Sequence, residues 1–255
     1  MSDQKMADLF FEFFAGLAQQ GPGSDESTRR AWALLGDLPL QPEVIDIGCG
    51  VGRQTLELAR LSGGRVTAVD LHQTFLARLD ITAREAGLEE QIRTLIDDMG
   101  DLGLPDQSFD VIWSEGAISN VGFEAGLKHW HRLVSPGGWV VVTECCWLTA
   151  EPSPECARFW AEEYPEMATV NDCLAMAERA GYVATDHFTL PDSDWEEHYY
   201  APMVPRLAWF RKKHGTSREA LAVSNMCENE ISVRRRFGSE YGYVCFVLRP
   251  TQPGE

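Results

Sequence analysis

The chain has 255 residues, of which 44% are hydrophobic and 10% aromatic, enough for a sizeable core; this argues against general disorder and fits one α/β domain with an elaboration. The formal charge is -17, from 22 Lys and Arg against 39 Asp and Glu, so nucleic acid is not an expected partner. The seven cysteines are odd in number and irregularly placed, which argues against a disulfide framework or a metal site and favours a reducing, cytoplasmic setting.

The N-terminal stretch has neither a basic region nor a small-residue cleavage site, so no signal peptide is expected. No apolar run reaches the roughly 18–20 residues of a membrane span, and no membrane partner is expected. Leu9, Phe10, Phe13, Phe14 and Leu17 recur at helical spacing and predict a helix from Met6 to Ala18. Gln20-Gly21-Pro22-Gly23 breaks the chain, and Ser24 or Asp25 caps a second helix to about Leu35. These form an N-terminal unit over 1–35.

Strands and helices alternate from Glu43 onward. Strands are expected at Val44–Ile47, Arg65–Val69, Ile92–Ile96, Phe109–Trp113 and Trp139–Thr143. Helices are expected at Arg53–Leu61 and Phe75–Ala86, and Leu127, Trp130 and Val134 mark another. The alternation implies a parallel sheet covered on both faces. Beyond Glu144, helices at Ser153–Tyr164 and Val170–Ala180 precede a sixth strand, Tyr182–Leu190; a seventh strand covers Tyr241–Leu248. The intervening stretch, 191–240, reads as two helices at Asp194–Lys213 and Ser217–Phe237.

Four segments carry chemistry. Val44-Ile45-Asp46-Ile47-Gly48-Cys49-Gly50-Val51-Gly52 is a buried strand ending in an acid, then a glycine loop opening a helix whose N–H groups are free. A dinucleotide loop would space its glycines G-x-G-x-x-G, and a pyrophosphate would be repelled by Asp46. Asp70, at the tip of the second strand, can accept from both hydroxyls of a ribose, with Leu71 beside it for an apolar base face; a helix N-cap is the plainer alternative. Asp98 and Met99 follow the third strand and can meet an exocyclic amine, or Asp98 simply caps a turn. Glu115 and Gly116 stand at the carboxyl end of the fourth strand, where open α/β sheets bind ligands.

In this order and spacing, the four segments resemble the class I, Rossmann-like S-adenosylmethionine (SAM) dependent methyltransferases, most closely the small-molecule branch that includes the quinone-biosynthesis enzymes. Leu133-Val134-Ser135-Pro136-Gly137-Gly138 is similar to that family's turn into strand five. The resemblance covers Pro42–Leu148 and the last two strands. It implies a single domain over 1–255 with a doubly wound, mostly parallel seven-stranded sheet of order 3-2-1-4-5-7-6, strand seven antiparallel. It also implies SAM as cofactor, S-adenosylhomocysteine as product and a small-molecule acceptor. By the same resemblance Gly48, Gly50 and Gly52 line the methionine portion with Asp46 near, Asp70 holds the ribose, Asp98 and Met99 hold the adenine, and Glu115 and Gly116 lie near the methyl group.

The sequence departs from minimal family members at 191–240, which replaces a short connection. Its aromatics, among them Trp195, Tyr199, Tyr200, Trp209 and Phe210, fit a cap over the acceptor; a homodimer interface or core packing fits equally. Trp147, Tyr199 and Tyr200 are the candidate acceptor contacts, and no metal ligands are expected. Glu115 and Glu144, at the ends of strands four and five, are the candidate general bases, with His198 behind them. Cys145-Cys146 would suit thiolate capture of a metalloid, but adjacent strand residues face opposite ways, which favours buried structural thiols. A SAM-binding protein without catalysis, acting as sensor or scaffold, is the alternative function.

Overall fold

A computed structural model describes residues 2–215 and 217–251 of the chain. Seven strands form one sheet: β1 (Glu43–Ile47), β2 (Arg65–Asp70), β3 (Ile92–Ile96), β4 (Phe109–Glu115), β5 (Val134–Trp147), β6 (Tyr182–Thr189) and β7 (Tyr241–Pro250). Their order is β3-β2-β1-β4-β5-β7-β6, with β7 antiparallel to both neighbours, as the resemblance implies. The central strands are apolar on both faces, so the sheet is buried from both sides. One cluster joins Ile45, Ile112, Val140 and Val142 to Leu127 and Trp130. The other joins Val44, Val111, Trp113 and Val141 to Ala31 and Leu58.

Helices α1 (Ser2–Ala15), α2 (Asp25–Ala33), α3 (Arg53–Ser62), α4 (Gln73–Glu85), α5 (Phe123–Trp130), α6 (Pro154–Glu163) and α7 (Val170–Arg179) surround the sheet. The stop and start signals work locally. Ser24 caps α2 by accepting from the Ser27 N–H at 3.1 Å. Thr169 and Asp172 form a reciprocal capping box on α7.

β5 is longer than the expected Trp139–Thr143. At its start, Val134 pairs with Phe109 and Trp139 with Val111, so Ser135–Gly138 bulges out of a strand that has already begun. Val134 therefore opens the strand and does not belong to the preceding helix, which ends at Trp130. At its far end β7 pairs as far as Trp147↔Tyr241, which carries the strand through Glu144.

The stretch between β6 and β7 is helical: α8 (Asp192–Trp195), a π turn (Glu196–Tyr200), α9 (Ala201–His214) and α10 (Arg218–Phe237). Pro202 sits in the first turn of α9, directly after the π turn, where a missing N–H costs little, and Pro205 lies inside α9 and returns no N–H to the Ala201 carbonyl. α1 packs against α9 and α10, and Phe13, Phe14, Met203, Leu207, Val223 and Cys227 share one cluster there. Among the described residues no helix is long and apolar enough to cross a membrane.

Candidate functional site

A cleft of about 700 Å³ opens beyond the carboxyl ends of β1 to β4. Its floor is the loop after β1. Gly48 there has φ 75°, and a Cβ on it would lie 2.4 Å from Ala117 Cβ. Gly52 caps α3 at φ 85°, where a Cβ would come 2.2 Å from Leu79 Cδ1. Both positions thus need glycine for backbone conformation and for protein packing. Gly48 and Gly50 line the cleft, whereas Gly52 turns towards α4.

The two acids of β1 and β2 sit very differently. Asp46 is fully buried beneath the loop, where it accepts from Thr55 Oγ1 at 2.6 Å and Gln54 Nε2 at 3.3 Å and so pins the start of α3. Burial raises its carboxyl to about 7, against the opposing bond from Thr55. It is not in the cleft wall; Gln54 is. Asp70 does line the cleft, with Oδ2 accepting from the Gly50 N–H at 3.0 Å and Oδ1 from the His72 N–H at 2.8 Å. It therefore ties the glycine loop to the start of α4.

Leu71, Asp98 and Met99, from the ends of β2 and β3, all line the cleft. Leu71 is 57% exposed and presents its side chain at the cleft wall. Asp98 accepts from the Gly100 N–H at 2.8 Å, and the Met99 carbonyl is held by the Trp130 indole at 2.9 Å. His72 packs against Phe11 of α1 with ring centroids 3.7 Å apart and tilted by 38°, which brings the N-terminal helix to the cleft.

Glu115, at the end of β4, also lines the cleft, but its oxygens are occupied. Oε1 accepts from Thr28 Oγ1 at 2.8 Å and Trp113 Nε1 at 2.9 Å, and Oε2 pairs with Arg53. Arg53 also reaches Asp25 at 3.1 Å, so one network joins α2, α3 and β4. The Gly116 N–H donates to Thr143 Oγ1 at 2.8 Å. Glu144 lies on the other face of β5, 2% exposed and outside the cleft lining; it accepts from its neighbour's N–H (Cys145) at 2.7 Å, and burial raises its carboxyl to about 8. Cys145 and Cys146 fall in separate clusters on opposite sides of the sheet.

A second cavity, of about 380 Å³, adjoins the first and shares Phe10, Gln20 and Phe75 with it. Tyr199 lines it; Tyr200 stands behind the wall, fully buried, donating to Glu230 Oε1 at 3.0 Å. Trp147 packs in the adjacent cluster but borders neither cavity, and His198 is exposed. Of the insertion's aromatics, Trp195, Tyr200 and Phe210 are core residues, and Trp209 is 40% exposed.

Several cleft and cavity residues escape sequence reasoning. Arg53 and Gln54 follow the glycine loop directly, so their position on the first turn of α3 was the available signal. Gln20 reads in the sequence only as the start of a chain break: its Oε1 accepts from the Val51 N–H at 3.0 Å, and its Nε2 donates to the Phe14 carbonyl at 3.0 Å. Phe159 and Trp160 reach the cavity only through tertiary packing, and nothing local marks them.

A family model described as a methyltransferase domain matches residues 44–138. A 2-methyl-6-phytyl-1,4-hydroquinone methyltransferase from Synechocystis sp. is 33% identical over 195 residues, 70% of this chain and 55% of its own. A 27-O-demethylrifamycin SV methyltransferase from Amycolatopsis mediterranei is 28% identical, over 95% of this chain and 93% of its own. The chain spans about half the length of several curated relatives it matches. A solved SAM-dependent methyltransferase from Geobacter sulfurreducens, in complex with S-adenosyl-L-homocysteine, superposes with a TM-score of 0.81 at 22% identity, over 95% of this chain and 98% of that one. At that identity the likeness is one of fold. The matched domain runs through the glycine loop, the acids after β2 and β3 and the turn into β5, and the chain belongs to the class I, Rossmann-like SAM-dependent methyltransferase family.

Proposed function

We propose that the protein transfers a methyl group from SAM to a small-molecule acceptor. The observation that carries this reading is the single cleft that gathers Gly48, Gly50, Asp70, Leu71, Asp98, Met99, Glu115 and Gly116 from four strand ends. Its donor set fits SAM. Asp70 offers a carboxylate to ribose hydroxyls, Leu71 an apolar face and Asp98 an acceptor for adenine, while Arg53 offers a cation to the methionine carboxylate.

SAM brings its methyl already activated by the sulfonium, so the protein's task is alignment and exclusion of water. In this reading α1 and the 191–240 helices roof the acceptor, and the second cavity houses it next to the cofactor. Tyr199 is the acceptor contact, and Tyr200 acts through Glu230. Glu115 is a positioning residue, because its oxygens already hold Arg53, Thr28 and Trp113. Glu144 acts structurally from behind β5. The hydroquinone and demethylrifamycin relatives carry acceptor names consistent with a hydroxylated small molecule here. Seven free, buried thiols suit a reducing compartment such as the cytoplasm.

A non-catalytic SAM sensor has no need of a second chamber beside the cofactor, and the presence of one favours the enzyme. The test is calorimetry with SAM and S-adenosylhomocysteine, followed by a coupled S-adenosylhomocysteine-release screen over a metabolite library. Micromolar-scale cofactor binding with turnover of at least one acceptor is expected. No heat at millimolar cofactor on folded protein would end this reading.

A further inference from the structure

The second cavity has a chemistry of its own. Phe10, Phe14, Phe75, Phe159 and Trp160 make it predominantly aromatic. Its charged lining is acidic: Glu163 and Glu230, with no Lys, Arg or His among the described residues that line it. Glu230 enters from α10 and is oriented by the Tyr200 hydroxyl, which donates to Oε1 at 3.0 Å. Opposite in character, the Trp160 Nε1 is a buried donor with no hydrogen-bond partner among the described residues. A carboxyl in such surroundings is poorly solvated. Burial raises it to about 7, the Tyr200 bond pulling down and nearby Glu163 pushing up. A carboxyl acceptor bordering an otherwise aromatic space is the pattern of a site that reads a polar group on a greasy molecule.

Resting on the methyltransferase reading above, we infer that Glu230 determines acceptor specificity, accepting a hydrogen bond from a hydroxyl or amine on an apolar, non-anionic acceptor held in the aromatic cavity. A hydroxyl donates a hydrogen bond to Glu230; an amine donates one or more and gains from the aromatic faces when charged. A carboxylate or phosphate on the acceptor meets two carboxyls and no cation. A plain hydrocarbon leaves the rest of the Glu230 carboxyl, beyond the oxygen held by Tyr200, without a donor.

The test uses the full chain saturated with S-adenosylhomocysteine and four probes on one ring system: 2-naphthol, 2-naphthylmethylamine, 2-naphthoate and naphthalene. Calorimetry is expected to show naphthol or naphthylmethylamine binding at least tenfold more tightly than both naphthoate and naphthalene. The tighter of the two identifies the donor as hydroxyl or amine. Glu230→Gln, nearly the same size, is expected to shrink the naphthol-to-naphthoate preference to under threefold while S-adenosylhomocysteine affinity changes less than about twofold. Tyr200→Phe, which frees Glu230 without removing it, is expected to weaken the preference partially. A merely structural role for Glu230 would alter the melting temperature but leave the ratios between probes unchanged, and that result overturns the inference. So does equal binding of naphthoate and naphthol, or no binding of any probe to protein that binds S-adenosylhomocysteine. Failure to bind S-adenosylhomocysteine at all is a different result, and it removes the methyltransferase reading itself.

Discussion

At the scale of single residues, the acids at the strand ends do three different jobs. Asp46 holds the loop from below, Asp70 faces the cleft and Glu115 ties the N-terminal segment to the sheet. Their sequence positions are alike; their burial and partners separate them. Asp70→Ala is expected to weaken SAM and S-adenosylhomocysteine binding by about 1–3 kcal/mol, the scale of lost charge-assisted hydrogen bonds, with the fold retained. Calorimetry and circular dichroism on the same sample check both halves, and unaltered affinity would remove Asp70 from the ribose site. Glu115→Ala acts by another route. It strands Arg53, whose side chain is 14% exposed, with Asp25 as its remaining charged partner. A stability loss of about 3 kcal/mol is expected from breaking such a pair, together with weaker cofactor binding. Denaturant unfolding shows whether stability falls; a variant as stable as the parent would mean that the network carries no weight.

At the scale of elements, the sheet was legible because its strands are short apolar runs punctuated by glycine and proline, and because four motifs fall at strand tips. What stayed hidden was set by partners far away in sequence. β5 extends through Glu144 because β7 pairs with it there, and a charge inside an apolar run reads locally as an end. The π turn is equally non-local: it buries Tyr199 and Tyr200 side by side, one into the cavity wall and the other onto Glu230. The aromatic content of the insertion was visible, but its division between core and cavity was not. Tyr199 is 5% exposed within a single chain, so its contribution lies inside the molecule. Tyr199→Ala is therefore expected to reduce acceptor binding or turnover at least tenfold, leave cofactor affinity within about twofold, and leave the sedimentation coefficient unchanged. A shift in oligomeric state would favour the interface reading of these helices. Gln20 couples the N-terminal helix to the glycine loop through Val51 and Phe14, and Gln20→Ala is expected to loosen α1. Faster proteolysis within 1–20, suppressed less by cofactor than in the parent, is the measurement.

At the scale of the whole molecule, three carboxyls are buried in the folded chain and raised, chiefly by desolvation: Asp46 to about 7, Glu144 to about 8 and Glu230 to about 7. In the unfolded chain they return to ordinary values of 3.8 and 4.5. Between those limits the folded state holds more protons than the unfolded one, so stability falls as pH rises. The contribution is fully present below about pH 4 and is lost as pH climbs through 7 to 8. Surface carboxyls work the other way. Glu124 is lowered to about 2 by hydrogen bonds from Arg179 and Lys128, and Glu155 is lowered by Arg236. Their stabilisation is present above 4.5 and fades as pH falls through the folded values. The two trends cross near the unfolded carboxyl range, and the formal charge of -17 adds repulsion on the alkaline side. The melting temperature is thus expected to peak near pH 5 and to decline towards pH 8.5. Glu144 tests the assignment because it borders neither cavity and burial is the chief cause of its shift, opposed by the Cys145 N–H and the Tyr164 hydroxyl beside it. Glu144→Gln keeps an oxygen for the Cys145 N–H and removes the ionisation. The variant should lose roughly one proton's share of the alkaline slope, on the order of 1.4 kcal/mol per pH unit between the unfolded and folded values. If thermal unfolding from pH 5 to 8.5 gives parallel curves for parent and variant, Glu144 does not carry a proton in the folded state.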